Sequence, residues 1–393
     1  MLERTINHET IDTVNLKDLA ARIQGEIITP DNEAYDDARS VWNGMIDRRP
    51  ALIVRCLDTT DVAAVVTFAR EHNLRVAVRG GGHNVAGLAV ADDSLVIDLA
   101  AMNAVEVDQD AKLVKAGGGA TIGDVDRASQ AHGLAVPLGV VSATGIAGLT
   151  LGGGLGWLRN KYGLSCDNLV AAEVVTADGR IVYADEDTNN DLLWGLRGGG
   201  GNFGIVTRFE YRAYPLGPEV AFTFVFHNGE GENMSNAFRF WRDYCETVPD
   251  EVSTLVASGI IPAHPELFPE EIHGKPFVLI GAMYTGSPDE GMQVMEPLRT
   301  FAEPLIDFSG NMPYLEAQVI LDDDYPDGLR YYWKSLNLSR LDDEGIDRLV
   351  THAKRQPSSL STLDLWHIGG AVSRVTDDEG AVHGRQSACL LNP

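Results

Sequence analysis

The stretch VRGGGHNVAG, Val78–Gly87, places a histidine directly behind three glycines. Glycines at 80, 81 and 82 permit positive φ and let the main chain come close to a ligand. Such a loop ordinarily cradles a phosphate with its N–H groups. An imidazole adds nothing to that task unless it acts on the ligand itself, so His83 is the residue to explain. Upstream, ALIVRC (51–56) reads as a buried strand, DTTDVAAVVTFAREHN as a helix capped by Asp58, and LRVAVR (74–79) as a second strand. Strand, helix and strand of these lengths predict a βαβ unit with a right-handed crossover. The glycine–histidine loop then falls at the carboxyl end of the second strand, where open α/β sheets bind ligands.

Two more glycine-rich passages follow, GVVSATGIAGLTLGGGLGW (139–157) and LRGGGGNFGIV (196–206). Between the loops, SLVIDL, AVEVD and KLVKA read as short strands. TIGDVDRASQAHG (121–133) reads as a helix opened by a Thr121/Asp124 capping box and closed at Gly133. NLVAAEVVTADGRIVYA reads as a hairpin turning at Asp178–Gly179. One glycine loop is an ordinary tight turn, but three at strand ends predict one extended ligand lined by backbone. GGGNFG (199–204) matches GxGxxG but lacks the strand before and the helix after that give the dinucleotide motif its mechanism. There is no Walker A sequence.

The 393 residues allow two or three domains, and 44 % hydrophobic residues suffice for sizeable cores. No apolar run is long enough to span a membrane. The N-terminus lacks a basic stretch followed by an apolar one, which predicts a cytoplasmic protein. A net charge of −26, from 57 acidic against 31 basic residues, argues against binding a nucleic-acid backbone. With only seven lysines, it also predicts adaptation to high salt, hence a halophilic source. Cys56, Cys166, Cys245 and Cys389 form no CxxC pair and are expected as thiols, with no metal site. DDDYPDG near Asp322 breaks calcium-loop spacing and reads as a solvated turn. Glycine clusters stop near residue 216. Beyond it, long strands such as VAFTFVFH and PFVLIGAMYTG alternate with three amphipathic helices, so the expected domains are 1–215 and 216–393.

RGGGHN…G, then TGIAGLTLGGGLGWLRNKYGLSCDNL, then LRGGGGNFGIVT resembles the FAD-linked oxidases of the vanillyl-alcohol-oxidase, or PCMH-type, fold. Within them it is most similar to the berberine-bridge-enzyme-like and 6-hydroxynicotine-oxidase-like group, and YYWKSLNL, LWHIGGAVSRV and HGRQSACLLN extend the likeness into the second half. The resemblance implies an α+β fold. A two-subdomain FAD-binding domain is followed by a substrate domain whose antiparallel sheet is backed by helices.

It also implies FAD, covalently bonded to His83 through its 8α-methyl carbon, which calls for a neutral, nucleophilic imidazole. The backbone of Arg79, Gly80, Gly81, Gly82, His83 and Asn84, up to Gly87, would hold the pyrophosphate. Thr144, Gly145, Gly148, Gly152 and Gly153 would pass the isoalloxazine and ribityl chain. Asn168 would order the segment beneath, and Gly204, Ile205 and Val206 would border the adenine. Relatives that attach flavin twice use a cysteine that aligns with Gly145, so the second bond is expected to be absent and Cys166 to be a buried thiol.

The implied reaction is oxidation of an alcohol or amine C–H by hydride transfer to flavin N5, with dioxygen or another acceptor restoring the flavin. Tyr332 and His367 are the candidate bases, with Trp366 shaping the pocket. The partner expected is a small-molecule substrate, with no nucleic acid and no membrane. Two alternatives stand beside this: an NAD(P)H-dependent reductase of the same fold, and a flavin-binding remnant. The remnant follows from the family's C-terminal return segment with its Asn-Tyr motif, which is not found in this sequence. It carries the further expectation that the last strand, in HGRQSACLLNP, ends a sheet with an unpaired edge.

Overall fold

A computed structural model describes residues 16–376 and 378–392. The N-terminal residues used above to argue for the cytoplasm lie largely outside them. The first sheet contains β1 (Glu26–Ile28), β2 (Leu52–Arg55), β3 (Val76–Arg79) and β4 (Leu95–Asp98) in the order β1-β2-β4-β3. β2 and β4 are runs of branched and aliphatic residues because both faces of this sheet are covered. The helix Thr59–Glu71 packs on one face, its first turn capped by the Asp58 carboxylate accepting from the Asp61 N–H. β2 and β3 run parallel as the βαβ pattern predicts, but they are not neighbours: β4 lies between them, parallel to both. The crossover therefore skips one position.

The second sheet is antiparallel, with β5 (Val105–Asp108), β6 (Leu113–Gly117), β8 (Leu169–Val175), β9 (Ile181–Ala184) and β10 (Ile205–Arg212) in the order β5-β6-β10-β8-β9. A two-residue ladder of β7 (Leu134–Ala135) with β11 (Tyr214–Pro215) closes this part. The helix Ile122–Gln130 carries the expected Thr121/Asp124 capping box, and Gly133 follows at φ 65°.

The third sheet has eight antiparallel strands: β12 (Glu219–Asn228), β13 (Val252–Ile260), β14 (Pro276–Tyr284), β15 (Pro304–Asp307), β16 (Gly310–Pro313), β17 (Leu336–Leu338), β18 (Leu363–His367) and β19 (Cys389–Asn392). The order is β15-β12-β14-β13-β18-β19-β17, and β16 pairs with the other half of β12. One face is covered by the helices Asn233–Cys245 and Asp343–Ala353 through Phe238, Trp241, Ile346 and Val350. The other face, with Phe222, Phe224 and Trp366, meets Trp157 and Leu158 from the second glycine-rich passage. One of the three amphipathic helices expected beyond residue 216, in DEGMQVMEPLRTFAEP, is two short ones, Pro288–Val294 and Glu296–Thr300, because Pro297 has no N–H with which to continue the ladder. The expectation of an unpaired final strand is wrong: β19 is paired on both sides, by β18 and β17.

Candidate flavin site

β3 delivers the first loop. Arg79, its last residue, turns its guanidinium away from the loop: Nε and Nη2 donate to Asp98 at 3.2 and 2.6 Å, and Nη1 reaches the carbonyls of Ala38 and Ser40. Its side chain therefore braces the fold and only its main chain leads into the site. Among the described residues, no main-chain N–H from Gly80 to Ala86 donates to a protein acceptor. A run of free N–H groups on a loop with Gly82 at φ 75° forms a cradle suited to an anion. The loop closes where the Gly87 N–H and Leu88 N–H donate to the carbonyl and the side-chain oxygen of Asn84. Gly87 is needed at φ 71°, with Ile46 packed where a Cβ would stand.

The second loop docks directly on the first. A Cβ on Gly81 would lie 2.4 Å from the nitrogen of Gly145, so the two chains touch backbone to backbone. Thr144 Oγ1 sits 3.4 Å from Nδ1 of His83. Gly145 opens the helix Ile146–Leu151, and a Cβ on Gly148 would meet nothing within 4 Å, leaving that face open. Gly152 ends the helix, and Gly153 at φ 116° accepts through its carbonyl from the N–H of Cys166. Cys166 is thus fully buried beneath the loop, and burial pushes its thiol pKa well up. Asn168 ties the same segment together, donating to the carbonyls of Tyr162 and Leu164 and accepting from the Tyr214 hydroxyl. In the third loop, the Gly200 N–H donates to the Leu151 carbonyl. Gly204, at φ 143°, leaves its Cβ position 2.6 Å from the Val175 carbonyl, and Ile205 and Val206 continue into β10 with their side chains buried.

His83 is half-buried and stacked on Trp42, with centroids 5.3 Å apart and planes 14° apart. Tyr331 stacks on Trp42 at 3.7 Å. Asn43 locks this layer, its amide donating to the carbonyls of Val85 and Tyr331 while its oxygen accepts from the Tyr331 N–H. Burial lowers the His83 pKa below the usual imidazole value, against the pull of Asp327 and Asp322. The ring is therefore neutral at neutral pH, as a nucleophile requires.

The candidate bases fare differently. Tyr332 is 72 % exposed, and the ammonium of Lys334 lies 5.6 Å from its ring. Tyr331, not Tyr332, is the ring that stacks on Trp42, so the structure does not bring Tyr332 to the His83 layer. His367 is drawn into the interface between the two halves. Its Nδ1 accepts from the Asn160 amide at 2.9 Å, and burial beside the Arg159 guanidinium lowers its pKa to about 4. Arg159 is itself fully buried. It is held by the carbonyls of His367, Gly156 and Thr254, and lies 5.4 Å over the Trp366 ring. His367 is consequently neutral, with the hydrogen on Nε2, and makes a poor base.

The residue that sequence reasoning missed is Asp364. In β18, Leu363 and Leu365 face the helices, so Asp364 shares the opposite face with Trp366. It is 5 % exposed, and burial, reinforced by Asp324, raises its pKa to about 7. Tyr325 lies within electrostatic reach of Asp364, and its carbonyl accepts from the Trp42 indole at 2.9 Å. Tyr325 thus links Asp364 to the Trp42–His83 stack. A lone acid inside the apolar run LDLWHI was the available signal. DDDYPDG is more than a solvated turn, since Asp322 accepts from the Ser142 N–H at 2.8 Å and from its hydroxyl. Two cavities of about 540 and 550 Å³, near Arg299 and Lys354, are lined by none of these residues.

The three loops, the unpaired N–H cradle of the first and the large antiparallel third sheet fit a flavoprotein of the PCMH type. Residues 50–185 match the FAD binding domain family. The chain is 40 % identical over 238 residues to (R)-6-hydroxynicotine oxidase of Paenarthrobacter nicotinovorans, covering 61 % of this chain and 52 % of that one. It is 29 % identical over 359 residues to an FAD-linked oxidoreductase of Dictyostelium discoideum, covering 91 % and 75 %. It thus spans between about half and three quarters of these relatives' lengths. Among solved structures, 6-hydroxy-D-nicotine oxidase from Arthrobacter nicotinovorans is similar with TM-score 0.81 and 27 % identity, covering 94 % of this chain and 80 % of that one. Glucooligosaccharide oxidase from Acremonium strictum, which carries a 6-S-cysteinyl, 8α-N1-histidyl FAD, is similar with TM-score 0.82 and 26 % identity, covering 95 % and 80 %. The chain carries an FAD binding domain and the PCMH-type fold, is similar to 6-hydroxynicotine oxidase, and is an FAD-dependent oxidoreductase. The site residues fit that cofactor, with an anion cradle at 80–86 and an open helix face at Gly148.

Proposed function

We propose that the protein oxidises a small alcohol or amine at a C–H bond, using an FAD tethered through His83, with Asp364 as the proton acceptor. The observation that carries this is the chain of contacts from the neutral, stacked His83 through Trp42 and Tyr325 to the buried Asp364. The flavin, when bound, supplies the hydride acceptor. The chain supplies the rest. The main chain from Gly80 to Ala86 would hold the pyrophosphate. Thr144 and Trp42 fix the imidazole plane of His83. Asp364, whose pKa of about 7 leaves it part-ionised at neutral pH, takes the substrate's hydroxyl or ammonium proton on a carboxylate oxygen. Trp366 and Tyr325 stand beside Asp364, and His367 offers Nε2–H as a donor.

Relatives whose names include a hydroxynicotine and a glucooligosaccharide support both amines and sugar alcohols as substrate classes. The test is anaerobic mixing of the flavoprotein with a panel of cyclic amines and oligosaccharides while flavin absorbance is followed. Bleaching by one class names the substrate. Bleaching by NADPH and by neither class would replace this reading with the reductase one.

A further inference from the structure

We propose that residues 379–385, in the connection from β18 to β19, form a strap that fastens the second and third glycine loops together and so strengthens FAD binding, with Arg385 as its positioning residue. This rests on the chain binding FAD, and not on its substrate or on the His83 tether. Residues 50–185, which match the FAD binding domain, include the first two loops but neither the third loop nor the strap.

The strap makes three contacts. Arg385 is 5 % exposed, and its guanidinium grips both carboxylate oxygens of Asp167, Nη2 donating to Oδ1 at 2.6 Å and Nη1 to Oδ2 at 2.9 Å. Asp167 Oδ2 also accepts from the Leu164 N–H at 2.8 Å, which fixes the turn 164–168. That turn carries the second loop, because the N–H groups of Ser165 and Cys166 donate to the carbonyls of Gly154 and Gly153. The second contact is the Ala381 N–H, which donates at 2.8 Å to the carbonyl of Arg197, where the third loop begins. The third is Val382, wedged between the loops. A Cβ on Gly198 would overlap Val382 Cγ2, and one on Gly153 would lie 3.6 Å from the same atom. Behind the wedge, Leu164 and Cys166 of one half pack with Ile368 and Val372 of the other.

A buried ion pair adds little stability over apolar side chains of the same shape, but a bidentate one fixes position closely. Arg385 reaches across 218 residues to set the floor of the second loop, and its Nε is buried with no acceptor among the described residues. Positioning explains such a group better than stability does. By linkage, a strap that strengthens FAD binding is itself tightened by FAD to the same degree.

In the test every protein carries His83→Ala, so that FAD is held by contacts alone. FAD affinity is measured by flavin fluorescence, and amide hydrogen exchange in peptides from 379–388 is followed with and without FAD. Circular dichroism reports folding. Arg385→Met and Asp167→Asn should each weaken FAD binding about tenfold or more, and the double variant no more than the stronger single, since the two groups act as one pair. Arg385→Lys keeps the charge without the fork and should recover part of the loss. Val382→Ala should weaken binding about threefold through lost methyl contacts. FAD should slow exchange in 379–388 in the parent but not in Arg385→Met.

Folded Arg385→Met and Val382→Ala proteins that bind FAD as tightly as the parent would overturn the proposal. So would exchange in 379–388 that FAD leaves unchanged in the parent. If Arg385→Met does not fold, Val382→Ala and the parent's exchange decide. If the parent itself binds no FAD, the same variants are compared in the wild-type background by the flavin they incorporate, and equal incorporation would overturn the strap while leaving the substrate reading untouched.

Discussion

His83 and Asp364 illustrate how differently two site residues announce themselves. His83 stands out in the sequence because a histidine has no ordinary use inside RGGGHN. Asp364 emerges only when β18 is placed against β13, which buries its face and raises its pKa to about 7. This gives a pH prediction. The carboxylate is the active form, so kcat/KM for an alcohol should rise with pH through an apparent pKa near 7. Asp364→Asn should lower turnover by about 10²–10⁴-fold and remove that inflection. His367→Gln should keep the inflection, because His367, with a pKa of about 4, is already neutral throughout this range. An inflection that vanishes with His367 and survives without Asp364 would reverse the roles. The choice between Tyr331 and Tyr332 was not legible either. It depends on which of two neighbours stacks on Trp42, a contact between residues far apart in the chain.

Elements whose ends are set by local chemistry were readable, and those set by distant partners were not. The Thr121/Asp124 box, the Asp58 cap and the Asp178–Gly179 hairpin all involve residues a few positions apart. The insertion of β4 between β2 and β3, and the burial of β19 inside its sheet, depend on pairings no local pattern encodes. One element contact carries its own prediction. The helix Tyr314–Gln318 docks on the helix Ile122–Gln130, with Gln318 donating to the Gly139 carbonyl at 2.7 Å. Asp126 is sealed inside this contact, 1 % exposed beside Tyr314 and Gln318, and neither carboxylate oxygen has a well-formed hydrogen bond among the described residues.

Burial raises the Asp126 pKa to about 8, so the folded protein holds a proton that the unfolded chain releases near pH 4. The contribution to stability is therefore full below pH 4, declines as pH rises from 4 to 8, and is lost above 8, with a slope of at most about 1.4 kcal/mol per pH unit. Urea unfolding between pH 6 and 9 should show wild type weakening with pH and Asp126→Asn nearly flat over the same range. Parallel slopes would mean that Asp126 does not hold the proton.

At the scale of the whole molecule the dominant electrostatic fact is the net charge of −26. Exposed pairs such as Arg348–Glu344 and Arg180–Asp178 contribute little, so unscreened repulsion between carboxylates outweighs them. Raising KCl from 0.1 to 1 M shortens the screening length from about 10 to about 3 Å, and the melting temperature should climb across that interval. A flat curve would show that the acidity has no bearing on stability.

The same scale holds the central claim, that two halves of the chain close around a flavin bonded to one histidine. The most direct measurement is acid precipitation of the purified protein followed by sequencing of the yellow peptide. The colour should stay in the pellet and reside on a single peptide containing His83, should persist in Cys166→Ser, and should move to the supernatant in His83→Ala. Yellow colour released entirely from the wild-type protein, or found on a peptide without His83, would contradict the account.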